Sequence, residues 1–111
     1  MDASDTALLL LDLQNDFIHQ NGAYAKGGVN VVAFKRVVKN LEGVVDRSRN
    51  LRIPIISSHF TLVRDMTGGV LISSHLKELR PFLKAGDFQS GTFGHRLVDE
   101  LAPSNYAIEK V

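Results

Sequence analysis

Apolar stretches of strand length and helix length alternate along this chain, the order expected of a parallel sheet covered by helices. Ala7 to Leu13 is apolar almost without a break, which predicts a buried central strand rather than a half-exposed one. The stretch Asn21 to Gly28, with Gly22, Gly27 and Gly28, reads as a loop. From Val29 to Arg49 the apolar residues Val31, Phe34, Val38, Leu41 and Val45 fall three or four apart. One face of a long amphipathic helix would therefore pack on the sheet, with Lys35, Arg36, Lys39, Glu42 and Asp46 largely on the other. Leu51 to Ser58 predicts a second strand, with Pro54 near its start, where one missing backbone donor is tolerated.

From Phe60 to Ser90 the pattern is less regular. Gly68-Gly69 and Ala85-Gly86-Asp87 punctuate a short helix expected around Ser74 to Leu83, with Pro81 inside it. This region reads as a substrate-side insertion, since loops at the carboxyl ends of strands are where open α/β sheets bind ligands. Leu97, Val98 and Leu101 suggest the inner face of another short helix closed by Pro103, and Tyr106 to Val111 a third strand. The fold class expected is three-layer α/β/α with a mostly parallel, Rossmann-like sheet, ending after its third strand.

Composition narrows the function. At 111 residues, 44% of them hydrophobic, the chain makes one small domain at most. The net charge of +1, with acidic and basic residues interspersed, offers no stripe for nucleic acid and no polybasic cluster for a membrane surface. Leu8 to Leu11 is far too short to span a bilayer, and Asp2 and Asp5 stand where a signal peptide needs positive charge, so a cytoplasmic protein is expected. The absence of cysteine excludes a disulfide scaffold and a thiolate metal site.

Two blocks carry candidate chemistry. The first is Ala7-Leu8-Leu9-Leu10-Leu11-Asp12-Leu13-Gln14-Asn15-Asp16-Phe17. The second runs from Gly91-Thr92-Phe93-Gly94-His95-Arg96 through Pro103 to Tyr106-Ala107-Ile108-Glu109-Lys110. A carboxylate at the end of a buried strand is partly desolvated, which makes it a better base; Asp12 is either such a base or the cap of the following turn. Lys110 either faces a carboxylate or developing thiolate, or is an exposed strand-end lysine beside Glu109. Asn15 and Asp16 suit backbone hydrogen bonds in the turn, and Gly91 and Thr92 suit a turn in which Thr92 accepts orphan N–H groups.

Together, in this order, the blocks resemble the isochorismatase-like cysteine hydrolases, the family of nicotinamidases, N-carbamoylsarcosine amidases and ureidoacrylate amidohydrolases. The resemblance runs from about Ala7 to the last residue and covers only the first part of the family domain, so residues 1–111 read as the N-terminal part of a single hydrolase domain. It implies that Asp12 and Lys110 are catalytic, joined by a cysteine on a later strand-to-helix turn beyond Val111. It also implies that Phe17 walls the substrate pocket, an aromatic that on pattern alone reads as core. The implied partners are a small-molecule substrate and further copies of the chain, with no cofactor.

Nicotinamidases carry an Asp-x-His metal pair after the second strand. Here Ser57-Ser58-His59 stands in that place, so the carboxylate is missing and no metal is expected, with His59 kept as a substrate-binding residue or a partly exposed strand-end histidine. His75 lacks a paired ligand, and His19 and His95 read as surface residues. Arg64, Arg80 and Lys84 are either contacts for a substrate carboxylate or solvated charges.

A small amide or carbamoyl/ureido compound is the expected substrate. An enol-ether hydrolase working without cysteine and a non-catalytic binding module are the alternatives. A nucleotide-binding domain fits least, because no glycine follows the first strand directly.

Overall fold

The computed structural model describes residues 2–111. Strand β1 (Leu8–Leu11) leads into two single-turn helices, α1 (Asn15–Ile18) and α2 (Ala23–Lys26), and then into the long helix α3 (Val32–Asn50). Strand β2 (Ile55–Phe60) follows. A two-stranded hairpin, β3 (Val63–Arg64) and β4 (Val70–Leu71), and helix α4 (Ser74–Leu79) make up the excursion before the last strand, β5 (Tyr106–Lys110). The sheet is parallel in the order β1-β2-β5, with Leu8 beside Ile55, Leu11 beside Ser58, Ile56 beside Tyr106 and Phe60 beside Lys110.

The expected βαβ unit is present, with α3 on one face of the sheet. Val38 and Val45 of that helix are buried against Leu10, Ile18, Ile55, Leu97, Val98 and Leu101, and Leu41 packs at the margin. Phe34, expected on the same face, stays largely exposed. The helix begins three residues later than its apolar pattern, where Asn30 Oδ1 accepts the Val32 N–H (3.1 Å). Its last turn is anchored by Arg49, whose Nη2 donates to the carbonyls of Leu101 (3.0 Å) and Pro103 (2.9 Å). A second, aromatic cluster joins Phe17, Tyr24, Phe60, Phe82 and Phe88 with Leu62 and Leu83.

Several expectations need correction. Among the described residues β1 pairs with β2 alone, on one of its two edges. A continuous leucine run reads alike whether both faces and both edges are covered or not. The loop expected at Asn21–Gly28 contains α2, and the helix expected to reach Leu83 stops at Leu79, ahead of Pro81. The helix expected around Leu97–Leu101 is absent. That segment runs through turns, and its apolar residues are buried because Val98 N–H donates to the Leu13 carbonyl (2.9 Å) and Leu97 bridges Gln14.

The second helical layer of the expected three is not among the described residues. Leu9 (51% exposed), Leu11 (58%), Tyr106 and Ile108 lie uncovered on the face opposite α3. Among the described residues no strand pairs with the outer edge of β1. Leu8 and Asp12 direct their N–H groups to Pro54 and Ser58, so alternation leaves those of Leu9 and Leu11 pointing away from β2.

Candidate active site

Asp12 ends β1 with a left-handed backbone, φ +58°. Non-glycine residues rarely adopt this conformation, aspartate among the more tolerant, and such outliers gather where a side chain must be re-aimed. It breaks the alternation of the strand at the point where the carboxylate is needed. Lys110, at the matching end of β5, reaches over the end of β2 and brings Nζ to 2.7 Å from Asp12 Oδ1. That oxygen has no accessible surface, and this ammonium is its partner. The rest of the pair is open, with the lysine side chain 47% and the aspartate side chain 35% exposed. A carboxylate and an ammonium held together at the carboxyl ends of parallel strands can pass a proton and stabilise a neighbouring negative charge.

The turn after Asp12 is held by the second of the two sequence blocks. Gln14 is fully buried; its Nε2 donates to the carbonyls of Phe60 (2.9 Å) and His95 (3.1 Å), and its Oε1 accepts the Phe60 N–H (2.8 Å). Asn15 Nδ2 donates to the Phe93 carbonyl (2.8 Å). The backbone N–H groups of Asn15 and Asp16 donate to Arg96 and Gly94. Asp16 accepts the N–H groups of Ala23 (2.9 Å) and Phe88 (2.7 Å), the backbone work expected of it. Gln14 was not singled out in the sequence. An amide following an apolar strand gives no local sign that its partners lie 46 and 81 positions away.

Of the other candidate residues, Phe17 comes beside the pair and His59 does not. Phe17 lines an apolar groove of about 280 Å³ with Asp12, Leu13, Ile18, Phe34 and Val37, while its ring meets Tyr24 and Phe88 with centroids 4.8 and 4.5 Å away. His59 pairs with Glu109 in the strand register, on the opposite face from Ser58 and Phe60, and is buried. His95 corrects its expectation as a surface residue: it is 7% exposed and stacked on His59. Thr92 also reverses its expected role, since its hydroxyl donates to the Gln89 carbonyl (2.7 Å) while Gly91 supplies the left-handed turn. Arg64 Nε donates to Gln89, and the Arg80 guanidinium lies 5.4 Å from the centre of the Tyr24 ring. No three histidine or carboxylate side chains converge on a metal position among the described residues.

The class the fold and site define is a parallel α/β domain that presents a carboxylate–lysine pair at the carboxyl edge of its sheet. Residues 6–111 match the family model described as the isochorismatase domain, and the chain belongs to that family. No curated protein matches it. Among solved structures, a cysteine hydrolase from Pseudomonas syringae pv. phaseolicola 1448A superposes with a TM-score of 0.67 at 16% identity, covering 98% of this chain and 46% of its own. An N-carbamoylsarcosine amidase from Thermoplasma acidophilum gives 0.62 at 21% identity, covering 99% and 52%. These likenesses show the fold, and the chain spans about half the length of the structures it matches.

Proposed function

We propose that residues 1–111 are the N-terminal part of one hydrolase domain, and that Asp12 and Lys110 are two members of an Asp-Lys-Cys triad whose cysteine lies beyond Val111. The observation that carries this reading is the 2.7 Å pairing of Lys110 Nζ with Asp12 Oδ1 at the carboxyl ends of parallel strands. The substrate is a small amide or a carbamoyl or ureido compound, a reading supported by the likeness to an N-carbamoylsarcosine amidase. Phe17 walls the substrate side of Asp12, whereas the substrate-binding role expected of His59 has no support in its place on the opposite face of the sheet.

In this mechanism Asp12 takes the thiol proton and the thiolate adds to the carbonyl carbon. Backbone N–H groups hold the oxyanion, and the amine leaves with the proton. Water, deprotonated by the same carboxylate, then cleaves the thioester and restores the thiol. Lys110 keeps the developing thiolate charged. The protein acts on small molecules, in the cytoplasm and as a homo-oligomer; no helix among the described residues is long and apolar enough to cross a membrane.

The test is hydrolysis of a panel of small amides, carbamoyl and ureido compounds by the native protein, with its intact mass measured in parallel. Asp12→Asn and Lys110→Ala are each expected to lower kcat by about a hundredfold or more with the fold retained. Turnover at the unaltered rate in either variant overturns the assignment. A native mass of 12.2 kDa would remove the triad.

A further inference from the structure

Ser57 and His59 alternate with Ser58 along β2 and so share the face of the sheet away from Lys110, where β5 places Ala107 and Glu109 beside them. Three side chains there form a line. Ser57 Oγ lies 2.7 Å from His59 Nε2 and 2.8 Å from Ser104 Oγ, and His59 Nδ1 lies 2.8 Å from the His95 carbonyl. Elimination places each proton on that line when the imidazole is uncharged. A carbonyl can only accept, so Nδ1 carries the ring's hydrogen and Nε2 accepts from the Ser57 hydroxyl. That bond uses the one proton of Ser57, whose other acceptor, the Tyr106 carbonyl, is 3.5 Å away. Ser57 Oγ therefore accepts from Ser104, and the Ser104 proton is directed inwards, towards the ring.

The two inner members are shut off from solvent and the outer one is not. Ser57 is 1% and His59 6% exposed, whereas Ser104 is half-buried and opens on a cleft of about 660 Å³. Leu97, Ala102 and Ala107 give the cleft an apolar wall, and Glu109, beside His59 in the strand register, gives it a negative charge. A buried serine needs one partner to be satisfied. It does not need a second hydroxyl behind it, aimed inwards from a cleft, nor an imidazole whose far nitrogen is tied so that the near one accepts.

We propose that Ser104 is a nucleophile, activated through Ser57 by His59, in a second site that takes the acyl group of a small carboxylic ester. Ser104 Oγ adds to the ester carbonyl carbon as its proton passes to Ser57 Oγ and the Ser57 proton passes to His59 Nε2. The bond from that carbon to the alcohol oxygen then breaks, and the alcohol leaves with the proton returned along the same line. Water repeats the sequence on the acyl-serine, which frees the acid and restores the hydroxyl. The acyl chain lies along Leu97, Ala102 and Ala107, and the Glu109 carboxylate offsets the charge of the transient imidazolium. This site shares no residue with the Asp12–Lys110 pair and does not rest on the role given to it.

The probe is an alkyl fluorophosphonate, which stands in for the ester: the bond from Ser104 Oγ to phosphorus forms, the phosphorus–fluorine bond breaks, fluoride leaves and the proton stays on His59. Native protein is treated with the probe and followed by intact mass and peptide mapping. An adduct is expected on Ser104, forming about a hundredfold or more faster than on the same chain unfolded in urea. His59→Gln removes the base and should slow the adduct by about the same factor. No adduct on Ser104, equal rates in the folded and unfolded chain, or an unslowed adduct in His59→Gln each overturns the proposal. If His59→Gln does not fold, the position of the adduct and the ratio of folded to unfolded rates in the unaltered protein decide. Amide turnover in Asp12→Asn and Lys110→Ala bears on the other face alone, so the two readings can fail separately.

Discussion

Replacing Gln14 with Leu is expected to lower unfolding free energy by about 3 kcal/mol or more, although the two side chains differ little in size. The substitution leaves no cavity, so the loss comes from polarity. The Phe60 N–H and carbonyl, both partly buried at the end of β2, lose their side-chain partner. The His95 carbonyl keeps a donor, His59 Nδ1. Each buried group left unpaired costs about 1–3 kcal/mol, and two are left here. Chemical denaturation measures the change; a loss under about 1 kcal/mol would mean that Phe60 finds other partners. Gln14→Glu separates the donor from the acceptor, since it keeps the oxygen for the Phe60 N–H and removes the N–H groups aimed at the carbonyls.

The second large effect is expected at Gly94. A Cβ built there overlaps the carboxylate of Asp16, and the backbone cannot back away because the Gly94 carbonyl accepts the Asp16 N–H (2.8 Å). The carboxylate cannot swing aside either, being held by Ala23 and Phe88. Gly94→Ala is therefore expected to cost about 3 kcal/mol or more, at the upper end for overpacking. Asp16→Ala removes both the clash and two backbone partners, so the double variant should be more stable than the sum of the single losses predicts. Strict additivity in a denaturant-based double-mutant cycle would sink this account of the glycine.

The long helix and the three strands were legible in the sequence because their patterns span many residues: Val38 and Val45 mark the buried face of α3 whatever surrounds it. The partnership of Asp12 and Lys110 came from resemblance, since nothing in either residue's neighbourhood announces a partner 98 positions away. What escaped was set by distant contacts. Leu97, Val98 and Leu101 have the spacing of a helix face, yet Leu13 captures the Val98 N–H and the segment stays in turns. His95 is flanked by residues typical of a surface, and its burial depends on Thr61 and the carbonyl bond from His59.

The hydrogen bonds joining residues 14–16 to residues 88–98 have a kinetic consequence. They close a loop of roughly 80 residues, at an entropic cost of about 4 kcal/mol from its length alone. No local contact rewards that closure early, so the turn behind Asp12 settles later than α3 and the β1–β2 pairing. During synthesis the N-terminal carboxylate emerges first, but neither its supports nor its lysine partner exists until Gly94, Leu97 and Lys110 have left the ribosome. A stall before that point would present the ribosome's surroundings with four exposed leucines and an unformed turn, and the half-made sheet would be the species most in need of a chaperone.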